Sequence, residues 1–214
     1  MTGGEQDRTD GLAGELALVR ARLAEVDHRI KNDLQLIASV FILQMRRMPE
    51  GPERDLVRGA LDRIGAVSAV HRRLDVTADP KRFEASALVG EVAQEAVAAT
   101  RRDDVRLDLD LSRAEIPTRQ AAPLALIVGE LVRNGLKHGL AGRAGVVSVA
   151  FGPQDGAVRL AVRDDGAGLA EGETAPKGFG ATLAALLAQQ LRGQLDFSDA
   201  APGLRAELSF PAET

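Results

Sequence analysis

The 214-residue sequence contains no cysteine, no tryptophan and no tyrosine. The absence of cysteine excludes disulfides, thiolate metal sites and a cysteine nucleophile. Aromatic residues make up only 3% of the chain, which argues against a surface that stacks nucleic-acid bases. What remains is an ordinary globular composition, 45% hydrophobic and 27% charged, whose length suits one or two folded units.

The sequence also lacks a field of one charge and a long apolar run. Its 27 basic and 31 acidic residues are interspersed and give a net charge of −4, so a general nucleic-acid binder is not indicated. No apolar run approaches the roughly 18 residues that a membrane span needs. The polar N-terminus does not have the pattern of a secretory signal. We therefore expect a cytoplasmic protein that spans no membrane and binds no nucleic acid.

Apolar residues recur with helical spacing through the first part of the chain. Between residues 12 and 30 they follow intervals of four and three, which is a heptad seam, and the pattern continues to Met45. A turn at 49–52 separates this helix from a second one with apolar positions over 57–74. Such a hairpin buries little by itself, so we expect two copies to pair as a dimeric four-helix bundle.

The second half alternates between helix and strand patterns. The predicted elements are a helix over 84–101, a strand over 105–111, a helix from Pro123 to Leu136, strands over 146–151 and 157–162, a helix over 181–191, and strands over 194–198 and 204–210. Pro123 is expected to open its helix, because proline suits a first helical turn. Helices on one face of a mixed or antiparallel sheet predict an α+β two-layer sandwich.

The first of three motifs in this half lies at residues 130–138 and reads Glu-Leu-Val-Arg-Asn-Gly-Leu-Lys-His. Glu130 and Asn134 are four apart, so both side chains should leave the helix on one face, with His138 four further on. A carboxylate, an amide and a basic group together suit a metal–phosphate group, because Mg²⁺ prefers oxygen ligands. A solvated helix face has the same pattern, so this motif alone leaves both interpretations open.

Two glycine-containing motifs follow. Residues 164–168, Asp-Asp-Gly-Ala-Gly, come just after a predicted strand. There an aspartate could accept the exocyclic amino group of adenine, and glycine permits close backbone approach to a ligand. Residues 178–183, Gly-Phe-Gly-Ala-Thr-Leu, open a helix whose free backbone N–H groups suit phosphate. Alone, the former is more typical of a surface turn, and the latter is a weak signal that an ordinary helix start would also give.

In order and spacing, the three motifs together resemble the ATP-binding (GHKL, or Bergerat) domain of the gyrase, chaperone, histidine-kinase and mismatch-repair superfamily, over about residues 83–211. The resemblance implies an α/β sandwich that holds ATP under a flexible lid, here a short one at about 169–177. It implies that Asp164 binds adenine and that Asn134 binds Mg²⁺, with Glu130 beside it as a catalytic residue. The other ATP-binding residues that it implies are Lys137, His138, Gly166, Gly168, Gly178, Gly180 and Thr182.

Residues 25–44 resemble the dimerisation and phosphoacceptor helix of histidine kinases related to the HWE subfamily. The motif reads His-Arg-Ile-Lys-Asn-Asp-Leu-Gln, where the subfamily has His-Arg-Val-Lys-Asn-Asn-Leu-Gln. The resemblance implies that His28 is the phosphoacceptor and that Asn32 positions water for dephosphorylation of a receiver. Arg29 stands where many histidine kinases have an acid, so Asp27 is the candidate base or orienting group.

The helical periodicity gives a separate indication about His28. It lies two residues after the seam position Val26, roughly 200° around the helix, and should therefore face solvent. His71, by contrast, lies on the apolar stripe of the second helix, where packing or a local hydrogen bond is expected. A neutral imidazole, with an unperturbed pKa of about 6.5, has a lone pair that can attack the γ-phosphorus of ATP.

The combined expectation is a cytoplasmic histidine kinase that autophosphorylates on His28 with Mg-ATP and passes the phosphoryl group to an aspartate of a separate response regulator. Its expected parts are a flexible N-terminus at 1–10, a dimerisation and histidine phosphotransfer hairpin at 11–76, and an ATP-binding catalytic domain at 83–211. The signal is expected from a separate sensor protein, unless the chain is an excised core. Two alternatives stay open: a histidine phosphotransferase of this architecture that relays phosphate without binding ATP, and a serine kinase of the anti-sigma type.

Overall fold

The chain forms two compact units, Met1–Leu61 and Asp62–Thr214. The computed structural model describes residues 3–74, 81–170 and 172–212. The first unit is helical, and the second contains the strands of the described chain. The division between the units falls inside a helix, whereas the boundary expected from the sequence, near residues 76–83, includes positions outside the described residues.

Two long helices, α1 (Gly3–Met45) and α2 (Pro52–Leu74), confirm the helices expected on either side of a turn. α1 begins at Gly3, within the segment that was expected to be flexible. α2 opens on Pro52, where the missing N–H costs no helix hydrogen bond. Glu53 and Asp55 lie in its first turn, where negative charge stabilises the positive end of the helix dipole.

The described side chains of the first unit expose apolar surface and form no buried core. None of its described side chains is buried. The exposed apolar residues of this unit include Leu18, Val19, Val26, Leu36, Ile37, Val40, Ile42, Leu43 and Leu56. The seam residue Val26 is among them, whereas the side chains of Leu12, Leu16 and Leu23 lie outside the described residues. Exposed apolar area on this scale is typical of an interaction surface.

The second unit begins with the C-terminal part of α2. The elements that follow it are β1 (Arg82–Glu84), α3 (Ser86–Ala98), β2 (Val105–Leu111), β3 (Glu115–Pro117), α4 (Thr118–Asn134), a π-helical turn (Gly135–Gly139), β4 (Gly145–Gln154), β5 (Ala157–Asp164), α5 (Phe179–Gln190), β6 (Gln194–Asp199) and β7 (Leu204–Phe210). Five strands form one sheet in the order β2-β4-β5-β7-β6. β2 runs parallel to β4 and the other neighbours are antiparallel, so the sheet is mixed.

One face of this sheet packs against helices α3, α4 and α5. The core is built from alternate strand residues, such as Val158, Leu160 and Val162 of β5, and from the apolar stripe of α4, with Leu124 and Ile127 fully buried. The period-two pattern therefore produces a sheet with one buried face, as expected from side chains that alternate across a strand. The architecture confirms the predicted α+β two-layer sandwich.

The predicted role of Pro123 is wrong. α4 begins at Thr118, directly after Pro117, and Pro123 lies inside the helix. Pro117 occupies the N-cap position with φ −55° and ψ 136°, so it is this proline that marks the helix start. Pro123 lies beyond the first turn, where its missing N–H removes one backbone hydrogen bond from the ladder.

A small antiparallel sheet of β1 and β3 is an element that sequence patterning did not predict. It pairs Phe83 with Ile116 and places both side chains in the core. Three-residue strands are too short to show a period, and the predicted helix over 84–101 included Glu84. The chain enters α3 only at Ser86, whose backbone N–H donates to the Glu84 carboxylate at 2.9 Å.

Candidate functional site

His28 lies on α1 and its side chain is exposed, as is that of the seam residue Val26, so exposure in the single chain does not test the prediction from periodicity. Asn32, one turn further on, lies beside it, with 3.2 Å between its Nδ2 and Nδ1 of His28. Arg29 is drawn to the preceding turn, where it forms an ion pair with Glu25 at 2.6 Å. The side chain of Asp27 lies outside the described residues. The imidazole is therefore accessible and has a neighbouring amide on its Nδ1 edge.

The first motif lies at the C-terminal end of α4. Glu130 is only 3% exposed, yet it is a carboxylate, and two arginines compensate its charge. Nε of Arg63 donates to its Oε1 at 2.8 Å, and Arg133 donates to the same oxygen. Buried carboxylates are costly unless they are paired in this way. Neither arginine was singled out in the sequence, since a contact with Arg63 requires residues 67 positions apart to meet.

Asn134, four residues after Glu130, has an unused hydrogen-bonding group. Its Nδ2 is buried and has no hydrogen-bond partner among the described residues. A buried amide nitrogen without a partner costs about 1–3 kcal/mol. Such an atom in a native structure needs a physical reason, and a ligand that binds beside it supplies one.

The chain continues past Asn134 as a π-helical turn, closed by a 2.8 Å bond from the Leu140 N–H to the Gly135 carbonyl. The prediction that His138 stacks above Asn134 assumed 3.6 residues per turn, whereas a π-helical turn is wider. Lys137 and His138 are both exposed here. π-helical turns occur frequently at functional sites, but no sequence period predicts one.

Asp164 is the last residue of β5 and is 4% exposed. Burial raises the pKa of its carboxyl, although the backbone N–H groups of Gly166 and Leu204 donate to Oδ1 at 2.9 and 3.4 Å. Those two hydrogen bonds hold Oδ1 in place, and neither of them involves the other carboxylate oxygen, Oδ2. The aspartate of the second motif is thus a buried, oriented acceptor.

The glycines of the second motif are required by chain packing. A Cβ on Gly166 would clash with the backbone of Gly139 in the π-helical turn. Gly168 has φ +73°, a conformation that other residues rarely adopt. A Cβ on Gly139 would in turn clash with the Asp164 carboxylate, so this glycine, which was not predicted, is also required. The end of β5 and the π-helical turn therefore pack closely, without room for a Cβ between them.

A narrow cleft of about 10 Å³, space for roughly one water molecule, lies between the first two motifs. Asn134 and Asp164 both line it, and its other walls are largely apolar. Its lining residues are Leu131, Asn134, Gly135, Val162, Asp164, Pro176, Phe197, Leu204 and Ala206. Apolar walls with a few fixed polar groups are typical of a small-molecule site, whereas the volume of this cleft is far below the roughly 300–1,000 Å³ of such sites.

The third motif lies against the first. Gly178, with φ +110°, is the N-cap of α5, and a Cβ on Gly180 would clash with Oε2 of Glu130 and lie 3.6 Å from Oδ1 of Asn134. The Thr182 hydroxyl donates to the Gly178 carbonyl at 3.2 Å, so in this structure it closes the helix start. The N-terminus of α5, with its free N–H groups, therefore lies beside Glu130 and Asn134.

Two family patterns match the chain. Residues 25–100 match the family described as histidine kinase, and residues 119–214 match the family described as histidine kinase-, DNA gyrase B-, and HSP90-like ATPase. Within the part of the chain that the structure describes, no helix is long and apolar enough to cross a membrane.

Curated relatives agree with both matches. Blue-light-activated histidine kinase 2 of Erythrobacter litoralis is 26% identical over 198 residues, which are 89% of this chain and 57% of the relative. Sensor histidine kinase PdtaS of Mycobacterium tuberculosis is 26% identical over 187 residues, 84% of this chain and 37% of the relative. The chain thus spans about half or less of the length of these relatives.

The fold is shared with a solved structure. The histidine kinase domain of an Erythrobacter litoralis blue-light activated histidine kinase superposes with a TM-score of 0.66 at 23% identity, over 93% of this chain and 94% of that one. At this identity the superposition shows the fold alone.

Proposed function

We propose that this chain, which belongs to the histidine kinases and carries the catalytic core of a sensor histidine kinase, binds Mg-ATP and transfers its γ-phosphate to His28. The observation that carries the proposal is that the first two motifs line one cleft and that the third motif lies against the first. Asn134 and Asp164 line the cleft, and Gly180 lies against Glu130 and Asn134. The same chain has an exposed histidine in the matched phosphoacceptor segment.

Asp164 and the apolar walls would bind the adenine. The cleft would have to widen to admit the flat aromatic ring, which would then pack against the apolar side chains of Leu131, Val162 and Ala206. The Asp164 carboxylate is an acceptor for an exocyclic amino group, and the Gly166 and Leu204 N–H groups hold it in place. Ionised aspartate only accepts hydrogen bonds, so it selects a donor at that position of the base.

Asn134, Glu130 and the start of α5 would form the phosphate end. The donor set fits a nucleotide-bound Mg²⁺, because Asn134 offers an amide oxygen and its unpartnered Nδ2 is left for a phosphate oxygen. When bound, Mg²⁺ supplies charge stabilisation for the transferring phosphoryl group. The N–H groups at the α5 N-terminus, after Gly178, favour anionic oxygens. The predicted basic contacts, Lys137 and His138, follow Asn134 on the exposed surface.

His28 is the nucleophile in the proposed reaction. A ring nitrogen of the neutral imidazole forms a bond with the γ-phosphorus, the bond to the bridging oxygen breaks, and ADP leaves. The ring then loses its remaining N–H proton to a base or to water, and Asp27 is the candidate base. Asn32 contacts Nδ1 and can hold the ring orientation; its predicted part in dephosphorylating a receiver belongs to this same proposal.

The partners belong to the proposal as well. A phosphohistidine is a donor for an aspartate of a response-regulator receiver, and the exposed position of His28 permits that approach. The exposed apolar residues of α1 and the start of α2 suit pairing with a second copy as a four-helix bundle. The signal would come from a sensor module, within a longer chain or on a separate protein.

Labelled ATP tests the proposal. The chain should acquire a ³²P label that is acid-labile and base-stable, as phosphohistidine is, whereas a serine kinase would give an acid-stable label. A titration with Mg-ATP separates the kinase from a phosphotransferase of the same architecture. No binding at millimolar Mg-ATP would contradict the kinase function.

A further inference from the structure

Arg63 of α2 contacts two of the three nucleotide motifs, although it precedes all of them in the chain. Its Nε donates to Glu130 Oε1 at 2.8 Å, and its guanidinium lies 4.7 Å from the centre of the Phe179 ring. Glu130 belongs to the first motif, and Phe179 lies between the two glycines of the third. The Arg63 guanidinium therefore connects α2 to Glu130 and to Phe179, which belong to the two motifs at the proposed phosphate end.

The two oxygens of Glu130 have different surroundings. Arg63 and Arg133 both donate to Oε1. Oε2 faces Gly180, where a Cβ would clash with it and would lie 3.6 Å from Oδ1 of Asn134. The two arginines therefore hold the carboxylate in an orientation that directs Oε2 toward the third motif and the proposed Mg²⁺ ligand.

Arg63 and Arg133 are not equivalent. Arg133 lies three residues after Glu130 on the same helix, so its contact forms locally in α4. Arg63 comes from another helix, and its side chain is 26% exposed while that of Glu130 is 4% exposed. Its contact fixes the carboxylate relative to α2, and the stacking on Phe179 fixes the start of α5 in the same way.

We propose that Arg63 is a positioning residue for phosphoryl transfer. It orients Glu130 Oε2 toward the γ-phosphate end and braces Phe179, so that α2 completes the nucleotide site. The proposal rests on the proposed function, because it concerns the same site. It predicts that Arg63 affects the rate of transfer and leaves the affinity for ATP largely intact, since the Asp164 end binds the base.

The test uses the whole chain with Arg63→Ala, Arg63→Lys and a matched control, Arg72→Ala. Arg72 lies on the same helix and pairs with Glu91 and Glu95 at 2.7 and 3.0 Å, away from the three motifs. Each variant is assayed for its maximal autophosphorylation rate, its KM for Mg-ATP, its binding of a fluorescent ATP analogue and its melting temperature.

Arg63→Ala should lower the maximal rate about 10- to 100-fold, as expected when a reacting group is misplaced by up to about 1 Å. Its affinity for the analogue should stay within about threefold, the range of a weak or lost polar contact. Arg63→Lys should recover only part of the rate, because lysine keeps the charge without the planar fork. Arg72→Ala should keep the wild-type rate.

A wild-type maximal rate in Arg63→Ala would overturn the inference, and so would a parallel loss of rate and affinity, which indicates a binding role. If Arg63→Ala does not fold, Arg63→Lys and Phe179→Ala decide, because Phe179 is 66% exposed and its removal should be tolerated. Wild-type rates in both would again overturn it. Failure of the unmodified chain to bind ATP or to label would instead contradict the proposed function.

Discussion

The two units of the chain differ in how far their side chains are buried. In the second unit, apolar strand residues and the α4 stripe close a core, and that core forces polar groups such as Glu130 and Asp164 into defined positions. In the first unit, none of the described side chains is buried, and Leu36, Leu43 and Leu56 are 64%, 61% and 71% exposed. The second unit therefore holds its polar groups in fixed positions by itself, whereas the first exposes apolar side chains and a histidine.

The largest effect is expected on autophosphorylation, from a substitution in the proposed nucleotide site of the second unit. Asn134→Ala should reduce autophosphorylation to background, because it removes the amide that we assign to the Mg-ATP phosphates. The fold should be kept, since Nδ2 has no protein hydrogen bond to lose among the described residues. Filter-bound ³²P and a thermal melt measure the two quantities. A wild-type labelling rate would refute the Mg²⁺ assignment.

The tight packing of the second unit predicts a large effect on stability. Gly166→Ala should lower the free energy of unfolding by about 2–3 kcal/mol, because its Cβ meets the Gly139 backbone and overpacking forces a shift. Gly65→Ala is the matched control: a Cβ there meets nothing within 4 Å, and alanine favours a helix by about 1 kcal/mol. Urea unfolding of both variants checks the difference. Equal midpoints would show that the strand end and the π-helical turn are not in contact.

The exposed apolar face predicts a change in assembly that leaves the second unit intact. Leu36→Asp combined with Leu43→Asp should convert a dimer into a monomer, because burying two carboxylates in a bundle is strongly unfavourable. Binding of ATP should be unchanged. Sedimentation or light scattering gives the mass, and a nucleotide titration gives the control. A monomeric unmodified chain, or a dimer that survives both substitutions, would rule out pairing through this face.

The smallest expected effect is a pH dependence of nucleotide binding. Burial raises the pKa of Asp164, so in the free protein its carboxyl takes up a proton at a higher pH than an ordinary aspartate, whose pKa is about 3.9. The binding of adenine needs the ionised form. Affinity should therefore be full above the raised pKa and fall as the pH decreases through it. Asp164→Asn, titrated alongside, should bind more weakly and lose this dependence; the same acid loss in the variant would place the titrating group elsewhere.

The same group affects folding with the opposite sign. Because the folded-state pKa is above the unfolded-state value, the native state binds the proton more readily. The ionised Asp164 therefore destabilises the fold at neutral pH, and this cost is relieved as the pH falls through the raised pKa. A bound nucleotide that hydrogen-bonds the carboxylate would offset it.

Sequence patterns predicted an element correctly wherever a single periodicity of apolar residues extended over its whole length. The strand over 105–111 and the strand over 204–210 coincide with β2 and β7, because alternating apolar residues bury one face of a sheet. The three motifs met in one place, as their joint resemblance to an ATP-binding domain implied.

Sequence patterns failed to predict the features of the structure that tertiary contacts determine. Pro123 was assigned to a helix start that belongs to Pro117, since both prolines precede apolar residues at helical spacing. The π-helical turn displaces His138 from the face of Asn134, and no 3.6-residue period encodes it. Arg63 could not have been found, because its contact with Glu130 depends on how α2 packs in the second unit.

The measurement that tests the central claim most directly is the label on His28. The unmodified chain, His28→Ala and the matched control His71→Ala are incubated with γ-labelled Mg-ATP, and the acid-labile, base-stable ³²P is counted. His28→Ala should carry none while still binding ATP, and His71→Ala should label if it folds. Undiminished acid-labile label on His28→Ala would contradict the account.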